Sequence, residues 1–188
     1  MKTLLASSAV AAITLFALPA FADSDSDRDR VGIVVGGSVD GGNLGCQNKN
    51  GDDCGNGAHA AGGLSVHLGG MVGPNIAILG ELWGMAHTDD NVTASQVLAT
   101  ANVRGWVVPH LWLQAGVGVA QSRLAFKSGA FMASTNSDTV PAFDLAAGVE
   151  LIRTPQFGLD VEVRGGSGFY QSDTRVYNTS LGIGVSFF

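Results

Sequence analysis

The feature that most constrains this chain is a two-residue periodicity. From Val31 to the last residue, apolar side chains alternate with small or polar ones. This is the spacing of a β-strand with two chemically different faces, not the 3.6-residue spacing of an amphipathic helix. Eight runs carry it. Val31, Ile33, Val35 and Val39 oppose Gly32, Gly36 and Ser38, and Leu64, Val66 and Leu68 oppose Ser65, His67 and Gly69. The third run sets Ile76, Ile78 and Leu82 against Ala77, Glu81 and Trp83, with a change of parity expected in its middle. Val97, Ala99, Ala101 and Val103 then oppose Thr100, Asn102 and Arg104, and Leu111, Leu113, Ala115, Val117 and Val119 oppose Gln114, Gly116 and Gly118. The sixth run has Phe143, Leu145, Ala147, Val149 and Leu151 against Asp144, Ala146, Gly148 and Glu150. Phe157, Leu159, Val161 and Val163 against Asp160, Glu162 and Arg164, and Leu181, Ile183, Val185 and Phe187 against Ser180, Gly182, Gly184 and Ser186, complete the set.

The connections alternate in length. Three are short and hold a proline, Val72 to Asn75, Val108 to His110 and Arg153 to Gln156; four are longer and polar, near 40–60, 87–95, 124–139 and 168–174. Proline cannot donate to a sheet ladder, and every proline avoids a strand interior: Pro19 precedes the strands, three sit in the short turns and Pro141 begins a strand. The expected fold is all-β, an eight-stranded antiparallel up-and-down barrel with tight turns at one end and loops at the other.

Which face meets water depends on the compartment. Lys2 precedes an apolar run from Leu4 to Phe21 that closes on Ala20-Phe21-Ala22, the pattern of a secretory signal peptide cleaved after a small residue. Ser7, Ser8, Thr14 and Pro19 interrupt the run and argue against a retained anchor. The expected division is a signal peptide over 1–22, a short acidic segment over 23–30 and a barrel domain over 31–188. No other stretch reaches the roughly 18 apolar residues of a membrane helix, so membrane entry requires a closed barrel that pairs every backbone group. Only 14% of residues are charged, against about 25% in soluble domains. The net charge of −6 removes the electrostatic basis for nucleic-acid binding.

In a soluble lipocalin-like barrel the apolar face would line a cavity, whereas in a membrane barrel it faces lipid. Runs of about nine residues match a tilted membrane strand. The opposite face is rich in Gly, Ser and Ala, and the chain holds 27 glycines, which suits a narrow lumen. Trp106, Trp112 and Phe157 near the turns, and Phe143, Phe169 and Tyr170 near the loops, form two expected aromatic girdles, although Trp106 and Trp112 carry inward parity unless the register shifts. Trp83 has inward parity and belongs to the interior.

The ending Leu181-Gly-Ile-Gly-Val-Ser-Phe-Phe188 resembles the C-terminal assembly signal of bacterial outer-membrane proteins, carried by Leu181, Ile183, Val185, Phe187 and Phe188. Leu113-Gln-Ala-Gly-Val-Gly-Val-Ala120 is similar to the fifth-strand glycine repeat of small barrels in the opacity-protein and outer-membrane-protein-A-like superfamily. The resemblance spans the mature chain. It implies an eight-stranded barrel in the bacterial outer membrane, inserted by the outer-membrane assembly machinery that reads the last strand, and it transfers no catalytic residue.

Inward charges need partners, because an unpaired ion out of water is costly. The expected lumen network comprises Glu81, Arg104, Asp144, Glu150, Asp160, Glu162 and Arg164. Glu81 and Arg104, nearly symmetric about residue 92, form the expected ion pair. Arg164 falls opposite residue 146, near Asp144, and Glu150 falls opposite Asp160. Cys46 and Cys54, in an exported Gly/Asn/Asp-rich stretch, are expected to form a disulfide. No metal site or cofactor is expected, since Asn48, Asn50, Asp52 and Asp53 miss the calcium-loop spacing. Ser65, His67 and Glu81 could supply nucleophile, base and orienting carboxylate of a lipid-modifying barrel enzyme, but lack the residue order of outer-membrane lipid A deacylases; a non-enzyme is expected. The loops carry the binding potential. Arg123, Lys127 and Arg175 at the outer rim point to lipopolysaccharide phosphates as contacts. The leading expectation is a monomer with a plugged lumen and surface-interaction loops; the alternatives are a narrow solute pore and a soluble exported binder.

Overall fold

Alternation becomes pairing in the computed structural model, which describes residues 30–48, 50–54, 57–89, 91–128, 131–170 and 174–188. The expected signal peptide, and all of the acidic segment except Arg30, lie outside these residues. Nine strands are present among the described residues: β1 Ile33–Gln47, β2 His59–Gly73, β3 Ile76–Asp89, β4 Val92–Val108, β5 Leu111–Ser128, β6 Phe131–Asn136, β7 Val140–Arg153, β8 Phe157–Tyr170 and β9 Thr174–Phe187. Eight of them close into an antiparallel barrel: β1 pairs with both β2 and β9, and β4–β5 and β5–β7 complete the ring. β6 stands outside it, folded back on the free end of β5 from Arg123↔Asn136 to Ser128↔Phe131.

The register fixes the barrel's dimensions. From Val35, partners run through Leu68, Gly80, Ala101, Val117, Phe143, Ser167 and Tyr177 and return to β1 at Gly45. Val35 and Gly45 are ten residues apart on β1, and this is the stagger of the barrel. With eight strands about 4.8 Å apart and about 3.3 Å per residue, such a stagger gives a strand tilt of about 40° and a backbone radius of about 8 Å. At this radius, side chains from opposite walls can meet across the interior.

The faces sort as the alternation predicts. Val39, Leu68, Val117 and Ile183 are among the exposed apolar residues on the outside, while Ser38, Glu81, Asp144 and Arg164 are buried inside. At each of the three short turns the register skips one residue, Val72, Val107 or Leu151. These bulges add an apolar side chain to the outer surface at the turn end, where bulges commonly re-aim a side chain.

Three expectations are corrected. The strands run 14 to 18 residues in the barrel rather than about nine. The expected long connection at 87–95 is mostly strand, since β3 and β4 pair as far as Asp89↔Val92, and that at 124–139 is largely the β5–β6 extension. Backbone pairing continues beyond the apolar band because polar residues pair as well as apolar ones; Thr88 and Thr93, opposite each other past the band, share a 3.1 Å hydroxyl contact. The parity change expected within β3 is absent: Leu79 simply points inward with Ala77, Glu81 and Trp83.

Candidate functional site: the lumen and its rims

The inward residues form three layers. At the loop end, Leu44, Trp83, Met85, Leu98, Ala120 and Val140 pack as one apolar cluster, with Tyr170 and Val176 against it. At the turn end, Val34, Ala77, Leu79, Trp106, Trp112 and Ala146 form a second, with Met71 and Phe188 against it. Between them lies a polar belt that includes Ser38, Asp40, Ser65, His67, Glu81, Asn102, Arg104, Gln114, Asp144, Glu162, Arg164 and Ser186, all buried.

The belt is organised around Glu81. Its carboxylate pairs with Arg164 Nη1 and accepts hydrogen bonds from Gln114 Nε2 at 2.5 Å and Asn102 Nδ2 at 3.4 Å. The second guanidinium nitrogen of Arg164 binds Glu162 at 3.1 Å, and its plane lies 5.3 Å from the Trp83 ring centre. The expected Glu81–Arg104 pair does not form. Glu81 is opposite Thr100, and Arg104 is opposite Ala77, four residues away along the strand. With the tilt above, that offset puts the Arg104 backbone about 7 Å nearer the turn end. Arg164 is on β8, four strands around the ring, where the stagger brings it to within about 3 Å of the height of Glu81 on the opposite wall. Arg104 instead donates to Gln114 Oε1 at 2.8 Å and Ser186 Oγ at 3.3 Å and stacks over Trp112 at 4.1 Å.

Inward glycines give these side chains room. A Cβ on Gly116 would lie 2.6 Å from Asp144 Oδ1, and one on Gly148 would lie 2.7 Å from Trp112 Nε1, with other ring atoms closer still.

Arg30, which precedes β1, lies at the turn-end mouth. Its guanidinium pairs with Glu150 at 2.6 Å, lies 3.9 Å from the Phe188 ring centre and donates to the Thr154 carbonyl at 3.2 Å. Burial lowers its pKa, opposed by Glu150, from a starting value so high that the group stays charged. Glu150 also accepts from Trp106 Nε1 at 2.9 Å and pairs with Arg153 at 3.2 Å. Glu150 does sit opposite Asp160, and these two cations offset that like-charged neighbour. Sequence reasoning missed Arg30 because it precedes the alternation, and missed Gln114 and Asn102 because neutral amides leave no charge pattern.

The girdle needs correction at three positions. Trp106 and Trp112 are buried, at 6% and 0% exposure, inside the turn-end cluster. Tyr170 also points inward, its hydroxyl meeting Gln96 Nε2 at 3.0 Å and Ser122 Oγ at 2.6 Å. Phe143 contacts Phe169 outside the loop end at 5.7 Å between ring centres, and Phe157 contacts Phe187 outside the turn end at 5.3 Å. Tyr177, opposite Ser167 on the same outer row as Phe143, joins the loop-end group unforeseen.

Ser65, His67 and Glu81 do not assemble into a relay. Ser65 Oγ contacts Ser38 Oγ at 2.9 Å, His67 Nε2 contacts Ser186 Oγ at 3.1 Å, and Glu81 is held by Arg164. At the loop end, Cys46 and Cys54 form a disulfide across the β1–β2 connection. Among the described residues no cluster of His, Cys, Asp and Glu is suited to a metal ion.

Comparison with known proteins agrees with this architecture. No curated protein matches the chain. Among solved structures, Ail, the attachment invasion locus protein of Yersinia pestis, solved with the heparin analogue sucrose octasulfate, is 14% identical with a TM-score of 0.56, covering 81% of this chain and 99% of Ail. Neisserial surface protein A is 13% identical with a TM-score of 0.58, covering 82% of this chain and 96% of its own. At these identities the likeness speaks for the fold. The family described as outer membrane protein beta-barrel domain matches residues 8–187, and the chain belongs to that family of the bacterial outer membrane.

Proposed function

We propose that this protein is a plugged, non-catalytic outer-membrane barrel whose function is carried on its extracellular end. The observation that carries this reading is the stacking of inward side chains, with a buried polar belt between two apolar clusters. A scaffold closed in this way leaves the β5–β6 extension and the disulfide-clipped β1–β2 connection as the surfaces available to partners. Small barrels place short turns in the periplasm and longer connections outside, which orients these elements outward. On the same reading, residues 1–22 are removed on export, the final strand with Phe187 and Phe188 is read by the assembly machinery, and the barrel is a monomer in contact with lipopolysaccharide. Arg123 and Lys127 on β5 and Arg175 on β9 are exposed cations at that end. Ser65, His67 and Glu81 are each engaged with other residues, Ser38, Ser186 and Arg164, and on this reading unchanged lipid A mass spectra on expression are expected.

Topology is the direct test. Lys127 is exposed beyond the apolar band. A membrane-impermeant amine reagent applied to intact cells should label it, and the labelled protein should fractionate with outer membranes and migrate on gels in a heat-dependent way. Recovery in the soluble periplasm, or labelling only after lysis, refutes the proposal.

A further inference from the structure

The outer surface of β7, β8 and β9 is not smooth. A groove of about 390 Å³ runs along β8 in the extracellular half of the barrel. Its floor is Gly165 and Ser167, since Gly165 has no side chain and the Ser167 hydroxyl turns back to the Val176 carbonyl at 3.2 Å. Leu145 and Phe143 wall it on β7, and Thr179 and Tyr177 wall it on β9, each opposite a floor residue in the register. At its extracellular end stands Arg175, opposite Phe169, with its guanidinium donating to the neutral Gln47 Oε1 at 2.8 Å. An apolar slot of this form, aligned with the strands and closed at its outer end by a cation, complements a lipid with a saturated chain and an anionic phosphate. Neutral lipid would fit the slot but leave the cation unmatched, and a soluble anion would leave the slot unfilled.

We propose that this groove binds one phosphorylated lipid of the lipid A kind from the outer leaflet, with an acyl chain between Phe143 and Tyr177 and a phosphate on Arg175. This rests on the membrane placement and lipopolysaccharide contact proposed above, and deepens them by assigning one defined site, with a chain in the groove and a phosphate on Arg175. Arginine is suited to such a phosphate because its planar fork of donors matches the oxygens.

Native mass spectrometry of the full mature protein, released in detergent and titrated with bisphosphorylated lipid A, tests the site. One retained lipid A per barrel is expected. Gly165→Leu fills the slot, and the nearest atom to its new Cβ is the Asn178 carbonyl oxygen at 3.8 Å, so the barrel accepts it. Occupancy should fall at least tenfold. Gly80→Leu, an outward glycine on β3 with comparable space at 3.7 Å, is the control and should bind as the parent does. Arg175→Gln should lower affinity for bisphosphorylated lipid A and leave binding of the dephosphorylated lipid unchanged, and phosphatidylglycerol should bind more weakly than lipid A. Full binding by Gly165→Leu, an equal loss in Gly80→Leu, or no retained lipid A on the parent overturns the proposal. Heat-dependent gel migration of every variant, with fractionation in outer membranes, separates failure of this site from failure of the membrane placement.

Discussion

Replacing Arg164 with methionine removes the cation on which the polar belt is built. The side chains of Arg164, Glu81 and Glu162 are exposed by 1%, 0% and 3%, so water does not replace the lost guanidinium. Glu81 would keep only the amides of Gln114 and Asn102, and Glu162 would lose the one cation within ion-pair distance among the described residues. Removing one partner of a buried pair costs about 3–5 kcal/mol, because a charge is left uncompensated. That corresponds to about a 100- to 4,000-fold loss in the folding equilibrium. The measurement is urea unfolding of the barrel in lipid vesicles, followed by tryptophan fluorescence, comparing midpoints at constant slope. The double variant Arg164→Met with Glu81→Gln removes the charge left at Glu81 and should recover part of the loss, since contacting residues are not additive. A cost below about 1 kcal/mol, the value of an exposed pair, would refute the claim that this belt is dry and structurally required.

Gly148→Val should prevent folding, because its side chain would occupy the space of the buried Trp112 ring; the heat-dependent gel shift reads this as loss of the folded band. Replacing both Cys46 and Cys54 with serine should leave that shift intact, because β1–β2 pairing ends at Leu44↔His59, short of the bridge. The same variant should be cleaved faster by protease added to intact cells, within residues 48–58.

The alternation made the barrel legible because burial on one face and lipid on the other imprint a period of two on every strand. Polar continuation is not imprinted: β5 runs on to Ser128 and receives β6, although its residues past Ala120 follow no apolar rhythm. Parity correctly read the interior position of Trp83, and followed alone it would also have placed Trp106 and Trp112 inside. Proximity to a turn does not make an aromatic residue a lipid anchor when its side chain points inward. The Arg164–Glu81 contact was not legible, since the fold of a hairpin relates only neighbouring strands. Contacts across a lumen depend on the stagger of the closed ring, which no single hairpin contains. Arg30 was illegible for a similar reason: its partners Glu150 and Phe188 lie more than a hundred residues away and meet it only after closure.

The central claim, that the lumen is sealed, is tested most directly by single-molecule conductance in planar bilayers with the purified, folded barrel. A backbone radius of about 8 Å, with two apolar clusters and a buried polar belt packed inside it, predicts no reproducible conductance steps above the bare membrane. Regular steps of uniform size, altered by substitution of Glu81 or Arg104, would contradict it and make the protein a narrow pore.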